Sequence, residues 1–202
     1  MDNRMDNKEA IIQAAIGLIE EKGEQIDEIT VRDICKKAGV GLGLVNYHFG
    51  NKDALIEQCV ERMVSAVVEQ FQNLQQTGAD CSPFEKIEYL GNLTIDFLFD
   101  HPAISRISAI SDMKSPSEHD NTSRTFEAYL PLVAECRPDL DDKELRRRTL
   151  YLVTIMQQVF VRQKNMSQIF GVDLGVKENR HSVHAQILHD ILGGVANENH
   201  SD

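Results

Sequence analysis

The chain of 202 residues carries a formal net charge of −11, and its 42% hydrophobic and 26% charged residues are typical of globular domains. This composition excludes wholesale disorder, and no apolar run reaches the about 18 residues that a membrane span needs. The acidic balance argues against nonspecific coating of nucleic acid, but not against a DNA reader whose positive charge is local. With no hydrophobic signal region at the start and four scattered cysteines, we expect a cytoplasmic protein with reduced thiols.

Apolar residues recur at steps of three and four nearly everywhere, which predicts an all-α fold. The pattern predicts helices over about 7–22, 31–38, 42–49, 52–76, 84–99, 102–112, 122–135, 141–168 and 177–192. Thr30 is expected to cap the second helix, with its hydroxyl accepting a hydrogen bond from the amide of Asp33. Gly39 and Gly50 are expected to end the two short helices.

The most specific signal lies between Ile29 and Leu55, where two short helices joined by a glycine turn predict a helix-turn-helix. The second of these helices is too short to be stable alone, so Val45 and Phe49 should pack inward against its neighbours. Its outward side chains would then be those of Leu42, Gly43, Leu44, Asn46, Tyr47 and His48. Asparagine can form a bidentate contact to adenine and leucine can contact a thymine methyl group. Lys52 begins a helix, where backbone amides already favour a phosphate.

This segment runs Ile29-Thr30-Val31-Arg32-Asp33-Ile34-Cys35-Lys36-Lys37-Ala38-Gly39-Val40 and resumes as Val45-Asn46-Tyr47-His48-Phe49-Gly50-Asn51-Lys52-Asp53-Ala54-Leu55. It resembles the signature of the TetR family of transcriptional regulators, and the resemblance covers roughly residues 8–56. One departure is Gly41, which stands where the family commonly has serine or threonine.

The resemblance implies a homodimer in which each chain has two helical domains. Residues 1–51 would form a three-helix DNA-binding domain, and 52–202 a larger domain that binds a small molecule and dimerises. Most members repress a nearby promoter and release it when the ligand binds. By motif position, phosphate contacts fall to Thr30, Tyr47, His48 and Lys52. Contacts or close approaches to bases fall to Arg32, Leu44 and Asn46, with Leu42 and Gly43 on the same helix.

The expected ligand site rests on the resemblance rather than on periodicity. Five large side chains take inward helical positions, and such a stripe is more often plain core than a ligand cage: Met63, Phe97, Phe126, Met156 and Phe160. Scarce aromatic residues and plentiful aliphatic ones suggest an apolar ligand. The last two predicted helices, over 141–168 and 177–192, are the expected homodimer interface, because the final one has apolar rows too wide for one neighbour.

Other patterns favour ordinary structural roles. His181, His184 and His189 could approach one another on a helix, but no cysteine and no carboxylate apart from Glu178 completes a local metal set, so exposed or interface histidines are expected. The run Arg146-Arg147-Arg148 follows several carboxylates, which favours local charge pairing. We find no catalytic motif, cofactor loop or metal set. Two alternatives stay open: an effector-independent adaptor that binds DNA and acts through protein contacts, and a small helical enzyme.

Overall fold

The computed structural model describes the backbone of residues 3–23, 28–76 and 81–193, and the side chains of 7–23, 28–66 and 81–193. Within these ranges the chain forms α-helices and no β-strand, so the predicted all-α fold is confirmed. The helices are α1 (Asn3–Lys22), α2 (Val31–Ala38), α3 (Leu42–Phe49), α4 (Lys52–Gln76), α5 (Pro83–Asp100), α6 (Pro102–Lys114), α7 (Asn121–Cys136), α8 (Asp142–Val161), α9 (Gln163–Phe170) and α10 (Lys177–Leu192).

The predicted single helix over 141–168 is wrong, because the chain breaks it at Arg162. The backbone of Arg162 has φ −109° and ψ 31°, which ends α8 and begins α9. Apolar periodicity continues across this break, since Val159 before it is buried in the core and Met166 and Phe170 after it pack against the same core. Because the same side of both helices faces the core, the pattern of apolar residues does not reveal the break between them.

The chain divides into two compact units that do not follow the chain order strictly. One unit comprises Met1–Ala66 and His101–Lys114, and the other comprises Val67–Asp100 and Ser115–Asp202. Helix α6 therefore belongs with α1, α2 and α3, although two helices separate it from them in the chain. This division describes packing, whereas the predicted division into 1–51 and 52–202 concerns function and stays a prediction.

The core of the first unit is built from side chains that lie at helical spacing on α1 and from the inward faces of the helices around it. Its buried members include Ile11, Ala15, Ile19, Ile34, Val45, Leu55, Cys59 and Ile104. Cys35 is buried as well, and neither cysteine forms a disulfide. Burial raises the pKa of both thiols, and that of Cys59 to about 12, which keeps them protonated and inert.

The second unit packs α5, α7, α8 and α10 around a shared apolar core. The wide apolar rows of α10 are covered within the chain, because α5 and α8 both pack against them. Asp96 on α5 accepts hydrogen bonds or ion pairs from three side chains of α10, namely Lys177, Arg180 and His181, at 2.8–3.0 Å. The predicted local pairing of the Arg146–Arg148 run is confirmed, since Asp142 and Glu144 bind these three guanidinium groups.

The three C-terminal histidines have separate surroundings. His181 binds Asp96, His189 lies 3.8 Å from Asp190, and Nδ1 of His184 is 2.9 Å from Oδ1 of Asn92. His184 is fully buried, so the expectation of an exposed or interface histidine is wrong there. The reason is Gly91, whose missing side chain leaves the space that the imidazole fills. No helix among the described residues is long and apolar enough to cross a membrane.

Candidate nucleic-acid interface

The first turn of α2 is held by reciprocal hydrogen bonds between Thr30 and Asp33. The hydroxyl of Thr30 accepts from the amide of Asp33 at 3.2 Å, as predicted, and the Asp33 carboxylate accepts from the Thr30 amide at 3.1 Å. The Thr30 hydroxyl also donates its proton to that carboxylate at 2.6 Å. These bonds hold the pKa of the Asp33 carboxyl below its usual value. A phosphate contact by Thr30 would therefore require its hydroxyl to turn from Asp33 to DNA.

The turn between α2 and α3 depends on glycine. Gly39 ends α2 in the left-handed region, with φ 69°, and the amide of Val40 donates to the carbonyl of Cys35 at 3.0 Å. Gly41 then caps α3 through its backbone alone, because its carbonyl accepts from the amide of Leu44 at 3.0 Å and it has no side chain to contribute. The turn thus positions α3 without any side-chain cap at its N-terminus.

Helix α3 presents one buried face and one exposed face. Val45 and Phe49, one turn apart, are buried against the unit's core. Four positions form the outward face: Leu42 (51% exposed), Gly43, Asn46 and Tyr47 (68% exposed). Leu42 and Tyr47 thus place one large apolar side chain and one aromatic ring in solvent on this face.

Leu44 and His48 are half-buried, so the prediction that both are exposed is wrong. They lie one turn apart on the flank of α3 beside the inward face, where neighbouring side chains cover them. The His48 ring packs edge-on against Tyr47, with ring centroids 5.0 Å apart. Its Nε2 is buried and has no hydrogen-bond partner within the described part of the chain.

The cations around α2 and α3 differ in how they are engaged. The side chain of Lys37 lies against α1 beside Gly17 and forms an ion pair with Glu21. Lys52 donates from its ammonium group to the carbonyl of Ile29 at 3.1 Å. Arg32 and Lys36 are exposed, and neither has an ion pair or hydrogen-bond partner in the described ranges.

Two contacts in this region, one of them the Lys37–Glu21 pair, are not predictable from the sequence. The ammonium group of Lys8 lies 5.6 Å from the centre of the Phe49 ring. Lys37 pairs with Glu21, so its charge is neutralised within the chain. Both join residues that are far apart in the chain, so no local pattern carries them. The unengaged positive charge of the interface therefore comes from Arg32 and Lys36, with Lys52 partly committed.

The residues expected to hold a ligand fall in both units. Met63 lies on α4 in the first unit, whereas Phe97, Phe126, Met156 and Phe160 lie in the second. Met156 and Phe160 are buried, Phe126 packs against the core that includes Met156, and Phe97 is half-buried.

Two contacts border these side chains in the second unit. The ring of Phe160 meets Phe99 edge-on at 5.6 Å. The amide of Gln157 donates to the hydroxyl of Thr122 at 3.4 Å, which is a long hydrogen bond between half-buried groups on α8 and α7.

Comparisons with known proteins agree with this geometry. Residues 11–59 match the family model for bacterial regulatory proteins of the tetR family. Over 62 residues the chain is 40% identical to YvdT of Bacillus subtilis, an uncharacterized HTH-type transcriptional regulator, and the match covers 31% of each chain. The chain thus spans about a third of the length of this curated relative.

Two solved structures share the fold across nearly the whole chain. One is a TetR-like transcriptional regulator from Rhodococcus sp. RHA1, with a TM-score of 0.62 at 16% identity, over 93% of this chain and 97% of that one. The other is a gamma-butyrolactone receptor, with a TM-score of 0.58 at 17% identity, over 94% of this chain and 99% of that one. At these identities the likeness is one of fold.

Proposed function

We propose that this chain, whose residues 11–59 match the family model for bacterial regulatory proteins of the tetR family, is a sequence-specific DNA-binding regulator of transcription. In this proposal it is a repressor that a small, largely apolar ligand releases from its operator, and it acts in the cytoplasm. The observation that carries the proposal is the outward face of α3, where Leu42, Gly43, Asn46 and Tyr47 stand exposed on a helix fixed from behind by Val45 and Phe49.

The face of α3 suits the major groove of DNA. A helix fits that groove, and the amide of Asn46 can pair with the edge of an adenine. Tyr47, His48, Thr30 and Lys52 surround this face and carry groups that can donate to phosphates. Because Gly43 has no side chain, the backbone of α3 could approach a base pair closely at this position. Arg32 and Lys36 add free positive charge beside it.

In a homodimer, two copies of this short helix could contact DNA together. Two copies of α3 must lie about 34–36 Å apart, one turn of DNA, to contact both halves of a palindromic operator. The proposed interface comprises residues 141–168 and 177–192, which lie on α8, α9 and α10. Leu150 and Tyr151 on α8 support it, since these two consecutive large side chains are 50% and 54% exposed. Burial of such side chains against a second copy is favourable.

The second unit is the proposed ligand domain. Phe97, Phe126, Met156 and Phe160 supply apolar surface there, whereas Met63, the fifth residue named from the sequence, lies in the first unit. The gamma-butyrolactone receptor supports the idea that a fold of this kind can hold a small molecule. A ligand that binds one arrangement of the dimer better than the other would weaken DNA binding by that difference in affinity.

The DNA-binding proposal is tested by selecting a preferred duplex from a random library with the purified protein. We expect a palindromic site and a steep salt dependence. Three cations in each chain of a dimer, Arg32, Lys36 and Lys52, predict a slope of log K against log salt of roughly −5. Tyr47→Ala and Arg32→Ala should weaken binding while the dimer persists, whereas Tyr89→Ala, in the second unit, should not. If both α3-region variants bind as tightly as the parent, the proposed interface is wrong.

The adaptor without an effector is the second candidate, and a ligand screen separates the two. A true effector raises the melting temperature and releases the selected duplex. We would screen uncharged lactones and medium-chain fatty acids by thermal shift, then measure DNA release for any compound that stabilises the protein. Stabilisation without release, or no stabilisation by any apolar compound, would favour the adaptor. Repeated chemical conversion of a bound compound would instead support the alternative of a small helical enzyme.

A further inference from the structure

The ends of α3 contribute little to holding it in place. The helix has eight residues, which is too few for independent stability in water. Gly41 gives it no side-chain cap, and Gly50 ends it with φ 82°, a conformation that glycine adopts at no steric cost. Val45 and Phe49 are buried on its inner face, and Leu44 and His48 are half-buried on its flank. With no side-chain cap at its N-terminus, the angle of α3 depends on this packing and on the segments on either side of the helix.

One side-chain contact joins the two ends of the segment that contains α2 and α3. The ammonium group of Lys52, the first residue of α4, donates to the carbonyl of Ile29, just before the cap of α2, at 3.1 Å. The two residues are 23 positions apart, and both short helices lie between them. The bond joins the entry of the helix-turn-helix to its exit, which is where a clamp would restrict the angle of α3 most.

Both partners of this contact are held independently. On the acceptor side, the Ile29 side chain is buried and the next residue, Thr30, is bonded twice to the Asp33 carboxylate. On the donor side, the carboxamide of Asn51 accepts from the amide of Ala54 at 2.8 Å and caps α4. A hydrogen bond between two fixed points holds the intervening segment, whereas one between mobile points would move with it.

We propose that Lys52 is a positioning residue that sets the angle of the reading helix, in addition to the phosphate contact assigned to it. The inference rests on the proposed function, because it concerns how that DNA interface is aligned. A lysine ammonium has three donors. One is used by the Ile29 carbonyl, so two stay available to a phosphate, and one side chain can align α3 and anchor the backbone of DNA together.

The two roles predict different losses on mutation. A phosphate contact adds affinity for every sequence and no discrimination, whereas alignment of α3 affects base contacts. Lys52→Met removes the charge and the hydrogen-bond donors but keeps an unbranched side chain of nearly the same length. Lys36→Met is the matched control, since it removes one exposed charge from α2 that has no partner in the described ranges.

The test compares affinities for the selected operator and for a scrambled duplex of equal length across a salt series. Lys36→Met should weaken both equally and leave their ratio unchanged. Lys52→Met should also lower the ratio, by about five- to tenfold, which corresponds to the loss of one hydrogen bond. Lys52→Arg, which keeps charge and donors, should restore most of it. An unchanged ratio in Lys52→Met overturns the inference while leaving DNA binding intact, and failure of the parent to prefer any duplex overturns the proposed function instead.

A second measurement needs no DNA. In the free protein, amide hydrogen exchange over residues 42–49 should accelerate in Lys52→Met relative to Lys36→Met, because the unclamped helix opens more often. Equal exchange in the two variants would show that Lys52 acts on DNA alone. If Lys52→Met does not fold at all, the same comparison is made with Lys52→Arg and Lys52→Gln. Exchange that is slow in the first and fast in the second supports the clamp, and equal exchange overturns it.

Discussion

Replacing Gly91 with alanine should destabilise the protein, because the imidazole of His184 occupies the space that a side chain would need. A Cβ at position 91 would lie 2.0 Å from Nε2 and 2.1 Å from Cε1 of His184, well inside ordinary van der Waals contact. His184 is fully buried, and its other nitrogen is bonded to Asn92. The ring therefore has to move by more than an ångström in a close-packed region, and it cannot move without straining that bond.

The size of the effect follows from three contributions. Overpacking a buried site costs about 1–3 kcal/mol. Weakening the hydrogen bond to Asn92 adds about 1 kcal/mol. Alanine is favoured over glycine in a helix interior by about 1 kcal/mol, which offsets the second contribution. The net expected loss for Gly91→Ala is about 1–3 kcal/mol in the free energy of unfolding.

Urea denaturation followed by circular dichroism measures this loss, and Gly17→Ala is the matched control. Gly17 is also inside a helix, but a Cβ there would meet only the flexible end of Lys37, at 3.0 Å. Gly17→Ala should therefore be neutral or stabilising by up to about 1 kcal/mol. In a His184→Ala background, Gly91→Ala should no longer destabilise, since the clash is gone. Equal losses in the parent and in that background would refute the packing argument.

Two further predictions concern the second unit. Burial, with a smaller contribution from His181, lowers the pKa of His184 to about 4 from an ordinary value of 6.5. Between pH 6.5 and pH 4 the His184 imidazole is protonated in the unfolded chain but not in the folded one. The free energy of unfolding is therefore unaffected by this group above pH 6.5 and falls by roughly 3 kcal/mol on acidification to pH 4. His184→Gln should flatten this part of a pH series of unfolding midpoints, whereas the exposed His189→Gln should leave it unchanged; the reverse result would contradict the assignment. Leu150→Glu should dissociate the proposed dimer in analytical ultracentrifugation, and an unchanged sedimentation coefficient would remove α8 from the interface.

Local chemistry explains why the helix-turn-helix could be predicted residue by residue. The bounds of α2 and α3 depend on the Thr30 cap and on glycines at positions 39 and 50, and each of these acts within one turn of its own position. The structure confirms both helices and the Thr30–Asp33 hydrogen bond as predicted. Because caps and turns are determined by neighbours in the chain, the pattern of residues is enough to place them.

What could not be predicted depends on residues that meet only in the folded chain. His184 is buried because Gly91, on another helix, leaves room for it, and no pattern within α10 reveals that. The half-burial of Leu44 and the Lys52–Ile29 hydrogen bond likewise depend on how α3 and α4 lie against α2. The break at Arg162 could not be predicted, because apolar residues face the core on both sides of it.

The central claim is that the outward face of α3 reads base pairs, and Asn46 tests it most directly. The measurement is the binding of Asn46→Ala and of the parent to a set of duplexes in which each operator base pair is changed in turn. We predict that Asn46→Ala loses discrimination at one base pair in each half-site, by about 1–3 kcal/mol, and keeps it elsewhere. Discrimination by Asn46→Ala that equals the parent's at every position, together with unchanged affinity, would contradict the account.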